Sequence, residues 1–281
     1  MKISEILKNN RPISFEIFPP KGELSMESFR TSLSALSALS PAFISVTCSA
    51  GGSGNHDRTA ELAGIIRGEY GIPSCAHLTC VNSDEAMLRA DVQSLHDNGV
   101  ENVLALRGDV IEGVTTRVFS HAIRLMEYLA DEGFCIGGAC YPEGHIECSD
   151  PQADLGYLYD KQQAGAQFFI SQLFFDNDCF YRFLDKARAI GIRIPILPGV
   201  MPILSKSQIE RMIFTCGASL PSAIIRILKR YENDPDALRR AGIDYAVSQI
   251  RDLLANGADG VHIYTMNRPQ IAADILEGLR T

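Results

Sequence analysis

Eight short apolar, β-branched or aromatic runs recur along this chain, at 13–18, 43–47, 75–79, 102–106, 134–140, 168–174, 194–198 and 260–264. Each has the length and composition of a buried strand. Between them the apolar residues return at helical spacing, as in Phe29, Leu33, Leu36 and Leu39, then Leu88, Val92 and Leu95, then Ile123, Met126 and Leu129. Alternation of the two periods over the whole chain is the mark of βα units and a parallel sheet. Eight units in 281 residues average about 35 residues each, which suits an α/β fold of the (β/α)8 TIM barrel type spanning residues 1–281 as one domain. The interval between runs seven and eight is long enough for extra helices, expected at 206–215, 222–229 and Pro235–Ala255, with Pro221 and Asn233-Asp234-Pro235 as breakers. The competing fold, an open doubly wound sheet, usually places a glycine-rich loop after its first strand. Here Pro19-Pro20-Lys21 follows, so the barrel is favoured.

Charge and composition narrow the function. With 26 basic and 34 acidic residues the net charge is −8, which disfavours a nucleic-acid partner. A hydrophobic share of 46% and a charged share of 21% are those of an ordinary folded protein. No apolar run reaches the ~18 residues that cross a bilayer, and the first residues lack the apolar core of a signal peptide, so no membrane association and a cytoplasmic location are expected. The eight cysteines include no C-x-x-C pair, and free thiols are expected.

Barrels of this kind work at the C-terminal ends of their strands. Seven of the eight runs place a polar group there, a density that costs free energy unless the groups are used or paired. Glu16 stands out. Flanked by Phe15, Ile17 and Phe18, it is expected to be poorly hydrated, which suits a general acid; the alternative is an ion pair with a Lys or Arg in the barrel mouth. In Arg107-Gly108-Asp109 the arginine suits a phosphate and the aspartate suits ring N–H donors, with a mutual salt bridge as the alternative. The loop Ala50-Gly51-Gly52-Ser53-Gly54 matches no phosphate-loop pattern in full. Cys140, His145 and Cys148, or Cys75, His77 and Cys80, fit no standard zinc spacing, and no metal is expected. Some rings of Phe168, Phe169, Phe174 and Phe175 are placed by alternation to face inward, where one could stack on a planar ligand.

Taken together, SFEIFPPK at 14–21, VT at 46–47, AGGS at 50–53, HLTC at 77–80, LALRGD at 104–109, CYPEGH at 140–145, Lys161 with AGA at 164–166, SQLFFD at 171–176, PGVMPI at 198–203 and YTMNR at 264–268 resemble the flavin-dependent methylenetetrahydrofolate reductases. The resemblance runs in family order over nearly the whole chain and implies a (β/α)8 barrel that binds FAD. NADH or NADPH, or an electron-donating partner subunit, reduces the flavin. The substrate implied is 5,10-methylenetetrahydrofolate and the product 5-methyltetrahydrofolate, for methionine synthesis. Carried over motif by motif, Glu16 is the general acid and Asp109 the residue between flavin and pterin. Gln172 and Arg268 contact the folate. Thr47, Ala50, His77, Arg107, Gly108, Asp109, Tyr141, His145, Asp154 and Lys161 contact the flavin, with Arg107, His145 and Lys161 offsetting its diphosphate charge. A homo-oligomer is expected. Cys48 stands where many relatives have Tyr, and Asp160 where they often have a basic residue. With nothing after residue 281, inhibition by S-adenosylmethionine of the eukaryotic kind is not expected. Two rivals remain at this point: a metal- or cobalamin-linked methyltransferase barrel built on Cys140, His145 and Cys148, and a non-catalytic folate or flavin carrier.

Overall fold

The computed structural model of the chain describes residues 1–8, 10–20, 26–48, 56–110 and 118–281. Eight parallel strands pair in sequence order and close on themselves: β1 (Ile13–Ile17), β2 (Ile44–Val46), β3 (Ser74–Thr79), β4 (Asn102–Leu106), β5 (Cys135–Cys140), β6 (Phe168–Leu173), β7 (Ile196–Val200) and β8 (Val261–Tyr264). Closure is made by β1 against β8, with Ser14 opposite His262 and Glu16 opposite Tyr264. All eight fall on the runs read from the sequence.

The helices are α1 (Ile3–Ile6), α2 (Met26–Ser37), α3 (His56–Tyr70), α4 (Glu85–Asp97), α5 (Ala122–Asp131), α6 (Pro151–Gln163), α7 (Asn177–Ala189), α8 (Lys206–Cys216), α9 (Ser222–Arg230), α10 (Pro235–Ala255) and α11 (Pro269–Arg280). The three expected between the last two strands are α8, α9 and α10. Acidic or hydroxyl residues start several of them. The side chains of Asp84, Asp150, Ser205 and Asp234 accept from the first-turn amides of α4, α6, α8 and α10. Asp176, a polar residue just past β6, has the same duty at α7.

One correction concerns β7, which begins and ends two residues later than the run at 194–198. Proline has no N–H for the ladder, so Pro195 serves only as an acceptor, from the Phe169 amide. Pro198 lies inside the strand, at the place where the register against β6 is irregular.

Apolar side chains occupy two places. Residues such as Phe15, Ile17, Val46, Leu78, Val103, Ile136 and Phe169 fill the shell between sheet and helices. Inside the barrel, Phe43, Cys75, Leu104, Cys135, Phe168, Ile170 and Leu197 pack with Ile3 and Leu7. The α1 segment therefore seals the N-terminal end as an apolar floor, fixed by a 2.7 Å hydrogen bond from the Ile3 amide to Asn102 Oδ1. Polar groups collect toward the opposite end.

Candidate active site

Phe15 and Ile17 face the helices, so strand alternation turns Ser14 and Glu16 into the barrel. The Glu16 carboxyl is 19% exposed. Its Oε2 lies 3.6 Å from His77 Nε2 and 3.7 Å from His262 Nε2. Among the described residues its ion-pair neighbours are thus two imidazoles, not the Lys or Arg of the alternative reading. His77 is buried, and desolvation pulls it down to about 4 against the opposing pull of Glu16, so it is neutral near pH 7. Its buried Nε2 has no hydrogen-bond partner among the described residues. His262 is fully buried and gripped on both edges: Nδ1 is 2.7 Å from Ser14 Oγ and Nε2 is 3.1 Å from Ser45 Oγ. Its ring stacks on Phe43, with centroids 5.6 Å apart and planes 16° from parallel.

The backbone around Glu16 is clamped by the turn after β8. Thr265 Oγ1 donates to the Glu16 carbonyl at 2.7 Å. The Asn267 side chain accepts from the Phe18 amide at 2.9 Å and donates to the Phe18 carbonyl at 2.7 Å. Met266 and Asn267 both take left-handed backbone, each with φ of 55°. Tyr264 beside them donates its hydroxyl to the Ser171 carbonyl at 2.7 Å, and burial holds that phenol well above its usual value.

A second group of expected residues surrounds one cavity of about 390 Å³ between the ends of β4 and β5 and helix α6: Arg107, Tyr141, His145, Asp154 and Lys161. Lys161 spends one donor on the Ala139 carbonyl at 2.8 Å and sits 5.6 Å from the Tyr141 ring centroid, a cation–π distance. Desolvation lowers its proton affinity. Arg107 pairs with Glu147 at 2.6 Å, not with Asp109 as in the alternative reading, and the pairing raises its pKa further. His145 accepts the Glu147 amide on Nδ1 at 3.1 Å and packs edge-on to Tyr141. Desolvation, then Arg107, push its pKa below 6.5. It is therefore uncharged near pH 7 and has an Nε2–H to offer a ligand; the positive charge expected of it comes from Arg107 and Lys161 alone. Asp154 holds the loop by accepting the His145 amide at 3.2 Å.

The remaining expected residues sit at the same end of the barrel without joining either cluster. Thr47 immediately follows β2. Gly108, with φ of 87°, bends the chain tightly after β4 in a backbone region that favours glycine. Asp109 is exposed, and its carbonyl accepts from Asn82 at 2.7 Å. Gln172 stands one residue from the end of β6 and receives the Leu173 amide at 2.8 Å. Arg268 is exposed at the start of α11. Ala50 and its glycine loop lie outside the described residues. The eight thiols are free. Cys140 packs in the outer shell with its pKa pushed far up by desolvation, and Cys148 donates to the Asp150 carbonyl. No three His, Cys, Asp or Glu side chains among the described residues form a metal-binding group. No helix among them is long and apolar enough to cross a membrane.

A closed parallel barrel with ionisable and aromatic groups gathered at the C-terminal ends of its strands defines a (β/α)8 barrel protein with a site at its mouth. The methylenetetrahydrofolate reductase family model matches residues 2–280, and the chain belongs to that family. It is 33% identical over 269 residues to the 5,10-methylenetetrahydrofolate reductase of Pectobacterium carotovorum, covering 95% of this chain and 89% of the relative. The corresponding Escherichia coli protein is 32% identical, with coverages of 95% and 90%. Methylenetetrahydrofolate reductase 2 of Schizosaccharomyces pombe is 34% identical over 302 residues, but the chain spans only 46% of its length. Among solved structures, a Clostridium thermocellum protein described as binding two copies of 5-methyl-5,6,7,8-tetrahydrofolic acid shares the fold, with a TM-score of 0.64, 15% identity and 96% coverage of both chains.

Proposed function

We propose that this protein reduces 5,10-methylenetetrahydrofolate to 5-methyltetrahydrofolate with bound FAD. The observation that carries the reading is Glu16: an acid inside the barrel, toward the strand ends, flanked by imidazoles and by no cation among the described residues. The family match and the near-complete coverage of the bacterial reductases support it.

The residues fit a flavin dinucleotide. His77 has a buried, unpartnered nitrogen to satisfy, and Arg107 and Lys161 bring two cations to a cavity walled by Tyr141. Those groups, with Thr47, Ala50, Gly108, Asp109, His145 and Asp154, would hold it. When bound, FAD supplies two-electron reducing chemistry, recharged by NAD(P)H or by a partner subunit.

The chain's own residues handle the substrate. Glu16 gives its proton to the folate N10. The bond from N10 to the one-carbon unit breaks, its electron pair stays on N10, and a cationic iminium remains at N5. Asp109 faces that positive charge as a carboxylate, and Gln172 and Arg268 orient the folate.

Glu16→Gln tests the assignment. It removes the proton and keeps the shape, so flavin absorbance should persist while folate reduction falls at least about 100-fold. Undiminished turnover in that variant would remove the acid from the mechanism.

A further inference from the structure

We infer that His262 is the positioning residue of Glu16, presenting a bare Nε2 that keeps the carboxyl turned inward and protonated until the folate takes its proton. The inference rests on the proposed function and deepens it. Ser14 is the starting point: its hydroxyl has a carbonyl acceptor in Val261 at 3.2 Å, so its lone pair is free to receive Nδ1–H of His262 at 2.7 Å. That pattern assigns the ring proton to Nδ1. The opposite nitrogen is then an acceptor, facing the Ser45 hydroxyl at 3.1 Å and Glu16 Oε2 at 3.7 Å.

A lone pair opposite a carboxylate repels it, whereas a lone pair opposite a carboxylic acid accepts its O–H. The ring cannot turn away, because it is stacked on Phe43 and fully buried. The other titratable groups near this spot are His77 and Cys75 from β3 and Tyr264 from β8. Desolvation drives His77 down to about 4 and Cys75 and Tyr264 well up, so none of the three changes charge near neutral pH. After the proton has left, the Ser45 hydroxyl is placed to rotate from Nε2 toward the new carboxylate.

Two measurements on the flavin-loaded protein test this. In ¹⁵N-histidine NMR, the ring of residue 262, assigned by its loss in His262→Gln, should be the neutral Nδ1–H tautomer between about pH 6 and 8. An Nε2–H tautomer or an imidazolium would overturn the inference. The second is the pH profile of methylenetetrahydrofolate reduction by pre-reduced protein. His262→Phe keeps the stacking and loses the acceptor. It should move the alkaline limb toward acid by roughly one pH unit, about the worth of one net hydrogen bond. The same variant should lower kcat while KM stays within about twofold. His262→Gln, whose amide oxygen can accept at the same place, should restore most of the limb. An unmoved limb in His262→Phe, with flavin absorbance retained, would overturn the positioning role while leaving the function intact. Failure of the unmodified protein to reduce the folate would instead overturn the proposed function and this inference with it.

Discussion

Asn267 connects the first and last strands of the barrel through one side chain, and it does so from left-handed backbone. Both of its amide atoms are spent on Phe18, two residues past the candidate acid. Asn267→Ala removes two hydrogen bonds, each worth about 1 kcal/mol net, and puts a β-carbon where it costs about 1 kcal/mol more. A loss of roughly 3 kcal/mol in urea unfolding is expected. Asn267→Gly should recover about 1 kcal/mol of it by relieving the backbone alone; equal losses would mean that the φ carries no strain. Residues differ in how plainly the sequence announced them. An acid between Phe15 and Ile17 is conspicuous in any strand, so Glu16 was legible. His262 was not: Val-His-Ile-Tyr reads as an ordinary strand, and its serine partners are 248 and 217 residues away in sequence. The Glu147 partner of Arg107 was hidden for the same reason, lying 40 residues downstream in a loop with no periodicity.

At the scale of elements, hydrophobic period was enough to find every strand and the three helices before β8, because burial on both faces of a parallel sheet leaves little freedom in composition. Spacing says nothing about how closely two backbones approach, and two helical glycines show the difference. Gly68 in α3 is exposed, and a β-carbon there would meet nothing within 4 Å. Gly242 in α10 is buried, and a β-carbon there would run into the backbone carbonyl of Ile203, which follows β7. Gly68→Ala should therefore stabilise by about 0.5–1 kcal/mol through helix propensity. Gly242→Ala should destabilise by about 1–3 kcal/mol, since overpacking outweighs the same propensity gain. Thermal denaturation of the pair checks both signs. A stabilised Gly242→Ala would mean that α10 can shift away from the loop after β7 without cost.

The molecule as a whole divides its barrel into an apolar floor sealed by α1 and a polar half above it, and that division has a consequence for stability in acid. His77 belongs to the polar half but is buried, and it is neutral because protonation would place a charge in desolvated surroundings. Its folded pKa is about 4, against an ordinary 6.5 in the unfolded chain. The unfolded state binds this proton first. The stabilisation is thus fully present above pH 6.5 and is lost progressively as pH falls toward 4. Between pH 7 and 5 the loss through this one group amounts to about 2 kcal/mol. His145 shifts in the same direction for the same leading reason, so an unmodified protein will show a steeper fall than one residue supplies. The comparison that isolates His77 is urea unfolding of flavin-free protein at both pH values, alongside His77→Gln. The unmodified chain should lose about 2 kcal/mol more than the variant, because every other titrating group is common to both. Equal losses would mean that His77 takes up its proton within the folded barrel, and the polar half would then be wet enough to solvate an imidazolium beside Glu16.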